Sequence, residues 1–551
     1  MPSVAVIIMK HTVVKGNLVD VVGGMVFPAQ VTMIDGKIWS VERSNASYDR
    51  YLVPGFIDAH IHIESSLLTP SRFAEAAVPH GTTATVSDPH EIANVLGTEG
   101  VRYMVKDAEG VPLRIRYTAP SCVPATSWET SGAKLGWREV RELLRMKEFV
   151  ALGEVMNVPG VLAADPEVMA KIEVAQQMGK PVDGHCPEVI GDRLDRYISA
   201  GISTDHECIS AKEAEEKHRK GMLILVREGS SSKNLAALMP FAKAHSCCLI
   251  SDDLQATDLQ KGHLDLLLRK AVALGMEPVH ALRAVTMWPA AHYRLPGGHL
   301  SEGEVADLVV LRDLKNFQVL QVYIGGDLVA EDGLPKFQAH PQVLRTGIRP
   351  PGKETEAFVI HARSQTGRAK VRVIGMLGDQ DISKAEEAVL PIVDGQIKSD
   401  PGQDVLLMAV VNRYAIAPPA LAFARGLGLK KGAIASTVAH DSHNIIAVGV
   451  DVASLALAVM GVAESGGYFA TDGQESVALP LRVAGLMSSE PCAAVAAGEE
   501  RMMSFVRALS CTLPAPFMTL SFQSLLVEPE LKLSDKGLFD SVRFRFVDAV
   551  V

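Results

Sequence analysis

Two histidines one residue apart, His60 and His62, close the apolar run Pro54-Gly55-Phe56-Ile57-Asp58-Ala59. On a β-strand, residues i and i+2 point to one face, so both rings can reach a single ion. Neutral imidazole is a common ligand for divalent transition metals. A lone His-x-His pair is as readily a packed strand, so the weight rests on what else the chain supplies. Polar residues recur where later apolar runs end: Asp88 to Glu91, Glu154, His185, His206, Glu228 and the pair Asp252-Asp253. Brought to one place, His60, His62, His185 and His206 with Glu154 and Asp252 are enough to hold two divalent metals. Such a set contains no thiolate, which suits Mn2+, Fe2+ or Zn2+.

The elements that must position these residues are read from periodicity. From Leu52 onward, strand candidates end near His60, Asp88, Pro120, Glu154, His185, His206, Glu228 and Asp252. Between them lie amphipathic segments such as Arg138 to Lys147, Glu167 to Met178, Asp192 to Ala200, Ala211 to Lys220 and Leu235 to Ala244. Gly179, Gly201 and Gly221 follow three of these as helix C-caps. Eight strand–helix units in one series predict an α/β fold, a closed (β/α)8 TIM-type barrel over 52–298, in preference to a doubly wound open sheet. Its catalytic residues belong at the C-terminal ends of the strands.

Both flanks of the barrel read as β. On the N-terminal side, Val4 to Met9 is apolar, Gly23-Gly24 is a turn, Gln30 to Ile34 alternates, and Asp35-Gly36 marks a hairpin. Helix-like stretches Leu264 to Leu274 and Pro278 to Ala291 lead into a second β region, which includes Val319 to Ile324. Residues 1–51 and 299–345 are expected to pair into a small β-sandwich that neither half forms alone. Pro341 to Lys353, with Pro350-Pro351-Gly352, reads as a linker, and 354–551 form an additional α+β C-terminal domain with strands at Lys370 to Ile374 and Val405 to Val411. Its small-residue run Ala453 to Ala463 is expected to be a buried helix. No internal repeat is seen.

Composition excludes several classes. The chain has 551 residues, 48% hydrophobic and 21% charged, and a net charge of -10 spread along its length. No basic stripe points to nucleic acid. No long uncharged apolar run or signal-peptide pattern points to a membrane or to secretion. The seven cysteines include no Cys-x-x-Cys, which fits a reducing cytoplasm better than a disulfide framework. His62-Ile63-Glu64 matches the His-x-Glu of zinc nucleobase deaminases, but the Pro-Cys-x-x-Cys partner is missing. Gly426-Leu427-Gly428 lacks dinucleotide-binding context.

The run Pro54 to Glu64, the strand-ending His185 and His206, Asp252, and the closing Gly303 to Leu311 resemble the amidohydrolase superfamily over about residues 1–345. Four segments, His60 to Ser66, Gly81 to Asn94, Gly153 to Asn157 and His440 to Asn444, more narrowly resemble the bacterial adenine deaminases, a likeness that spans nearly the whole chain. The resemblance implies that His60, His62 and Asp252 bind one metal and His185 with His206 the other, with manganese or iron favoured. It implies deamination of adenine to hypoxanthine and ammonia by a metal-activated hydroxide, in purine salvage or catabolism. Relatives that open cyclic amides commonly carry a carboxylated lysine on strand four. Here Phe149 to Leu152 runs into Gly153-Glu154, so Glu154 either bridges the metals or carries a proton.

In that chemistry a metal lowers the pKa of water from about 16 toward 7. Asp252 is expected to take the proton of the attacking hydroxide and Glu154 to supply one to the purine ring, which requires environments that push their pKa values apart. Weaker substrate-binding candidates are His90, Glu91, Glu207 and Ser230. His90 and Glu91 either orient the base or belong to a helix start capped by Asp88. Glu207 either supports the metal site or points outward. His440, Asp441 and His443 either reach the mouth from the C-terminal domain or form a structural cluster. A cyclic-amide hydrolase and a non-enzymatic barrel scaffold are the competing readings. The expected partner is a small molecule, adenine, with a dimer as the generic assembly.

Overall fold

A computed structural model describes residues 10–551 apart from 231, 343, 345–347, 349–354 and 379–381. The apolar run Val4 to Met9, Ser231 and most of the linker Pro341 to Lys353 lie outside the described residues. The barrel strands are β5 (Phe56–Ile61), β6 (Thr82–Ser87), β7 (Arg114–Ala119), β8 (Phe149–Val155), β9 (Val182–Gly184), β10 (Thr204–Asp205), β11 (Leu223–Arg227) and β12 (Cys248–Ile250). They follow β1 (His11–Asp20), β2 (Met25–Ile34), β3 (Lys37–Arg43) and β4 (Tyr51–Pro54). Strands β5 to β9 pair in parallel in chain order, as do β10 to β12. The two arcs are joined where Ser203 N–H donates to Val182 O (2.9 Å) and Gly184 N–H to Thr204 Oγ1 (3.0 Å). The ring closes where Asp252 N–H donates to His60 O (3.2 Å) and His62 N–H to Asp252 O (3.4 Å). A buried core of Ala59, Val86, Ala151, Leu225, Cys248 and Ile250 fills the lumen, so the barrel is a packed plug with its polar residues at one end.

The helices fall close to the expected segments, and Gly179, Gly201 and Gly221 all have the positive φ of a helix C-cap. The stretch 278–291 differs. It forms two helices, Pro278–Ala284 and Met287–Tyr293, broken at Thr286 (φ -139°, ψ -83°), whose Oγ1 donates to Leu282 O (2.6 Å). An apolar pattern cannot register such a break, because both halves face the same core.

The flanks unite in one eight-stranded sheet. Strands β13 (Leu308–Leu311), β14 (Val319–Ile324), β15 (Asp327–Glu331) and β16 (Leu334–Pro335) continue it in the order β16-β15-β14-β13-β4-β1-β2-β3. The join is the antiparallel pairing of β13 with β4, the strand that leads through Gly55 into the first barrel strand. Asp35 and Gly36 both have positive φ in the two-residue turn between β2 and β3, as the hairpin motif requires.

The C-terminal region holds a nine-stranded mixed sheet covered by the helix Val452–Ser465. That helix is buried on one side only: Leu455, Val459 and Val462 are inside, whereas Leu457 is 42% exposed. The all-apolar run therefore overstates its burial. The region lies across the barrel mouth. Asn444 Nδ2 donates to Thr130 O (2.7 Å), Thr130 N–H to Asp535 Oδ1 (2.8 Å), Ser488 N–H to Leu67 O (2.7 Å) and Thr257 N–H to Glu499 Oε2 (2.9 Å). No described helix is long and apolar enough to cross a membrane.

One buried ion pair braces β10, the strand before His206. Lys217 has no exposed surface and donates to Asp205 Oδ2 (2.9 Å), Glu213 Oε1 (2.7 Å) and Cys186 O (2.7 Å). Burial pushes the Asp205 carboxyl up, but the charges of Lys217 and His206 outweigh it and hold it well below the usual range. Lys217→Ala strands that carboxylate and should cost about 3–5 kcal/mol of stability at neutral pH. A depressed carboxylate contributes in full above its unfolded pKa of about 4 and loses that contribution progressively as pH falls toward its lower folded value, so the deficit should begin to shrink below about pH 4. Thermal unfolding of both proteins between pH 3 and 7 measures it; a deficit independent of pH would contradict this account.

Candidate metal centre

The C-terminal ends of the barrel strands converge, and bring together two groups of candidate ligands joined by one carboxylate. In the first group, Nε2 of His60 and Nε2 of His62 each lie 3.3 Å from Asp252 Oδ1 and 3.1 Å from each other. His62 Nδ1 lies 3.1 Å from the carbonyl oxygen of Asp88, which can only accept, so Nδ1 carries the hydrogen and Nε2 faces inward as a lone pair. Asp252 follows β12 with a left-handed backbone (φ 54°), which turns its carboxylate back toward both rings. In the second group, His185 Nδ1 and His206 Nε2 are 3.2 Å apart and lie 3.0 and 2.9 Å from Glu154 Oε2. The other oxygen of that carboxylate, Oε1, is 3.6 Å from His62 Nε2. Glu154 thus presents one oxygen to each group. The rings of His60 and His206 stack at 4.3 Å, which brings the groups side by side.

All six residues are buried, with His185 the most exposed at 9%. Burial pushes the Asp252 carboxyl up, but hydrogen bonds to His60 and His62 outweigh it and leave it well below the usual range. For Glu154, burial is likewise outweighed by the charges of His206 and His185. Two ionised carboxylates among four inward-facing imidazole nitrogens form an array whose favourable filling is a cation. Among the described residues, donor atoms of His60, His62 and Asp252, of His60, Glu154 and His206, and of His185, His206 and Glu207 lie close enough together to share one ion. These buried His, Asp and Glu clusters can hold divalent metal.

Local sequence explains how Glu154 is aimed. A Cβ on Gly153 would sit 2.3 Å from Asp88 Oδ2, the atom that accepts Glu154 N–H at 3.1 Å. Only glycine lets Asp88 approach the strand end closely enough to lock the backbone there. Asp88 is thereby committed to the barrel and does not cap the helix His90–Asp107, whose N-cap is Pro89 without a side-chain bond. The cap donor Ile92 N–H goes instead to Glu64 Oε1 (3.3 Å).

The weaker candidates sort unevenly. His90 is in the site, with Nδ1 3.4 Å from Glu154 Oε1 and Nε2 3.4 Å from Glu91 Oε1. Glu91 faces the C-terminal region, where His440 Nδ1 is 2.6 Å from Oε1 and His443 Nε2 meets Oε2. Ala439 N–H donates to His443 Nδ1 (3.1 Å), which places the ring hydrogen on Nε2, toward Glu91. Burial disfavours an ionised Glu91, but the charges of His440, His443 and His90 outweigh it and hold it well below the usual range. His440, disfavoured as a cation by burial, is pushed up to about 9 by Glu91. The cluster His440, Asp441 and His443 therefore does reach the mouth.

Glu207 does not point outward. It is buried and paired with the Arg227 guanidinium, whose Nη2 donates to Oε2 at 2.8 Å and whose Nη1 donates to Oε1 and, at 3.2 Å, to Asp252 Oδ2. Because β10 ends at Asp205, Glu207 follows no strand alternation. Ser230 is misplaced by the sequence reading. Its Oγ donates to Asp258 Oδ2 (2.9 Å) and accepts Gln255 N–H (2.9 Å), so it ties two loops together and does not line the cavity among the metal-site residues. Glu228 also turns away, accepting from Leu235 N–H (3.2 Å) and Lys270 Nζ (3.0 Å).

The cavity enclosed by these residues measures about 30 Å3, with Met156, Phe522 and Leu525 as its apolar wall. A second cavity of about 650 Å3 shares Met156, His185, Glu207, Arg227 and Glu528 with it.

Against this geometry stand the similarities to known proteins. Residues 51–329 match the amidohydrolase family and residues 380–545 the adenine deaminase C-terminal domain. An adenine deaminase of Methanothermobacter thermautotrophicus is 46% identical over 96% of this chain and 98% of its own. Adenine deaminases of Salinibacter ruber and a Sulfurovum species are 46% and 47% identical over 98% and 97% of this chain, and 99% of each of theirs. The chain belongs to the adenine deaminase family.

Two residues of this adenine deaminase family member escaped the sequence reading although they touch the centre. Arg227 had a legible signal, since it shares strand parity with Leu223 and Leu225 of the barrel interior, whereas Glu228 has the opposite parity. Glu528 had none. It lies in the C-terminal region, and its Oε1 is 3.0 Å from His185 Nε2.

Proposed function

We propose that this protein is a hydrolytic adenine deaminase, converting adenine and water to hypoxanthine and ammonia. The observation that carries the reading is the pair of ligand groups joined through Glu154, in a chain related to adenine deaminases over nearly its whole length. His60, His62 and Asp252 would hold one divalent ion and His185 with His206 a second, with Glu154 shared between them. Manganese or iron suits this nitrogen and oxygen donor set. When bound, the metal supplies a water whose pKa is lowered enough to attack at neutral pH.

The chain's own groups then manage protons. Asp252, held ionised, accepts the proton of the attacking water. Its Oδ2 is fixed by Arg227, which leaves Oδ1 on the histidine side. Both oxygens of Glu154 face histidines, which favours its role as a shared ligand over that of proton carrier. His90 stands beside Glu154, its Nδ1 3.4 Å from Glu154 Oε1, and Glu91 backs its Nε2. That places His90 to deliver the proton the purine ring must gain before attack. Burial of all six residues keeps the reacting groups largely away from bulk water. Seven free cysteines, six of them buried, fit a reducing cytoplasm.

The cyclic-amide alternative draws no support from β8, which ends without a lysine, and family membership removes the ground for a bare scaffold. Incubating the manganese- or iron-loaded protein with adenine, and following ammonia together with the ultraviolet change to hypoxanthine, tests the proposal. Absence of both products would sink it.

A further inference from the structure

Glu528 is the point at which the C-terminal region touches a candidate metal ligand. It lies between the turn Phe522–Ser524 and the strand Leu531–Ser534, and only 3% of it is exposed. Its backbone is pinned on both sides. Glu528 N–H donates to Leu525 O (3.3 Å), Ser383 N–H donates to Pro529 O (2.8 Å), and Glu530 N–H donates to Ser383 O (2.9 Å). The carboxylate has little freedom, and its Oε1 rests 3.0 Å from Nε2 of His185.

The two ring nitrogens of His185 face different surroundings. Nδ1 looks toward Glu154 Oε2 (3.0 Å), His206 Nε2 (3.2 Å) and Glu207 Oε1 (3.5 Å). Nε2 looks toward Glu528. An ionised carboxylate can only accept, so it draws the ring hydrogen to Nε2 and leaves Nδ1 as the atom able to ligate. A ligating histidine depends on such a partner for tautomer and ring orientation, and losing it typically costs 10–100-fold in metal affinity.

We propose that Glu528 is a positioning residue that fixes His185, so that capture of the ion at His185 and His206 depends on the C-terminal region. The proposal rests on the reading of His185 and His206 as ligands. Chain distance makes the dependence notable: the ligand and its partner are 343 residues apart, on the barrel and on the region that covers it.

The test titrates metal-depleted wild type, E528A, E528L and E528Q with Mn2+ against a competing chelator, alongside thermal unfolding and kcat/KM for adenine. Wild type should bind two ions per chain. E528A and E528L should keep the ion at His60 and His62 and lose affinity for the other by about 10–100-fold. E528Q, whose amide oxygen still accepts from Nε2–H, should recover most of that loss. If E528A does not fold, the contrast of E528L with E528Q decides, since both retain bulk at the position. Equal affinities for E528L and E528Q, whether both tight or both weak, overturn the proposal. A wild type that binds no second ion overturns the ligand reading on which it rests.

Discussion

Asp252→Asn should abolish turnover of adenine, lowering kcat on the order of a thousandfold or more, while the thermal unfolding temperature stays near that of wild type. Asparagine keeps the shape and one acceptor oxygen, so the left-handed turn at φ 54° and the ring closure through Asp252 N–H and O survive. What disappears is the charge that His60 and His62 share at 3.3 Å and the basicity needed to take a proton from water. A positioned acid or base typically contributes 10²–10⁴-fold, and the lost metal ligand adds to that. The amide can still accept the Arg227 bond to Oδ2, which argues against a collapse of the mouth. Near-normal kcat in the folded variant would remove Asp252 from the mechanism.

Glu154→Gln should produce the second large effect. The carboxylate gives one oxygen to His62 and the other to His185 and His206, and a glutamine can present an oxygen to only one side. Its NH2 would then meet lone pairs on the other. Bound metal should fall from two ions per chain to one or none, and kcat/KM by about a hundredfold or more, the equivalent of several kcal/mol of transition-state stabilisation. Metal analysis of the purified variant separates this from a proton-carrier role. If E154Q keeps both ions tightly and loses only turnover, Glu154 carries protons and does not bridge.

The barrel was legible because most of its strands are short apolar runs that end in a polar residue, and chain order alone places such ends on one rim. His60, His62, Glu154, His185, His206 and Asp252 were found that way, and all six meet at that rim. The same logic failed where position along a run was used without parity. Glu228 was read from the end of β11, but Arg227, one residue earlier, shares the inner face with Leu225 and enters the site. Ser230 failed because a loop has no period, and its hydroxyl is spent on Asp258 and Gln255. Glu528 and the pairing of Glu91 with His440 and His443 depend on how the C-terminal region lies over the barrel, which no local pattern encodes. The break at Thr286 was hidden because both short helices bury the same face.

The central claim is that the two ligand groups joined by Glu154 hold divalent metal that serves the hydrolysis of adenine. Its most direct test is one titration: metal-free protein is supplied with Mn2+ or Fe2+ while bound metal per chain and ammonia released from adenine are measured together. Activity should rise with metal and saturate at two ions per chain, with one ammonia formed for each hypoxanthine. Full saturation with metal and no ammonia from adenine would contradict it.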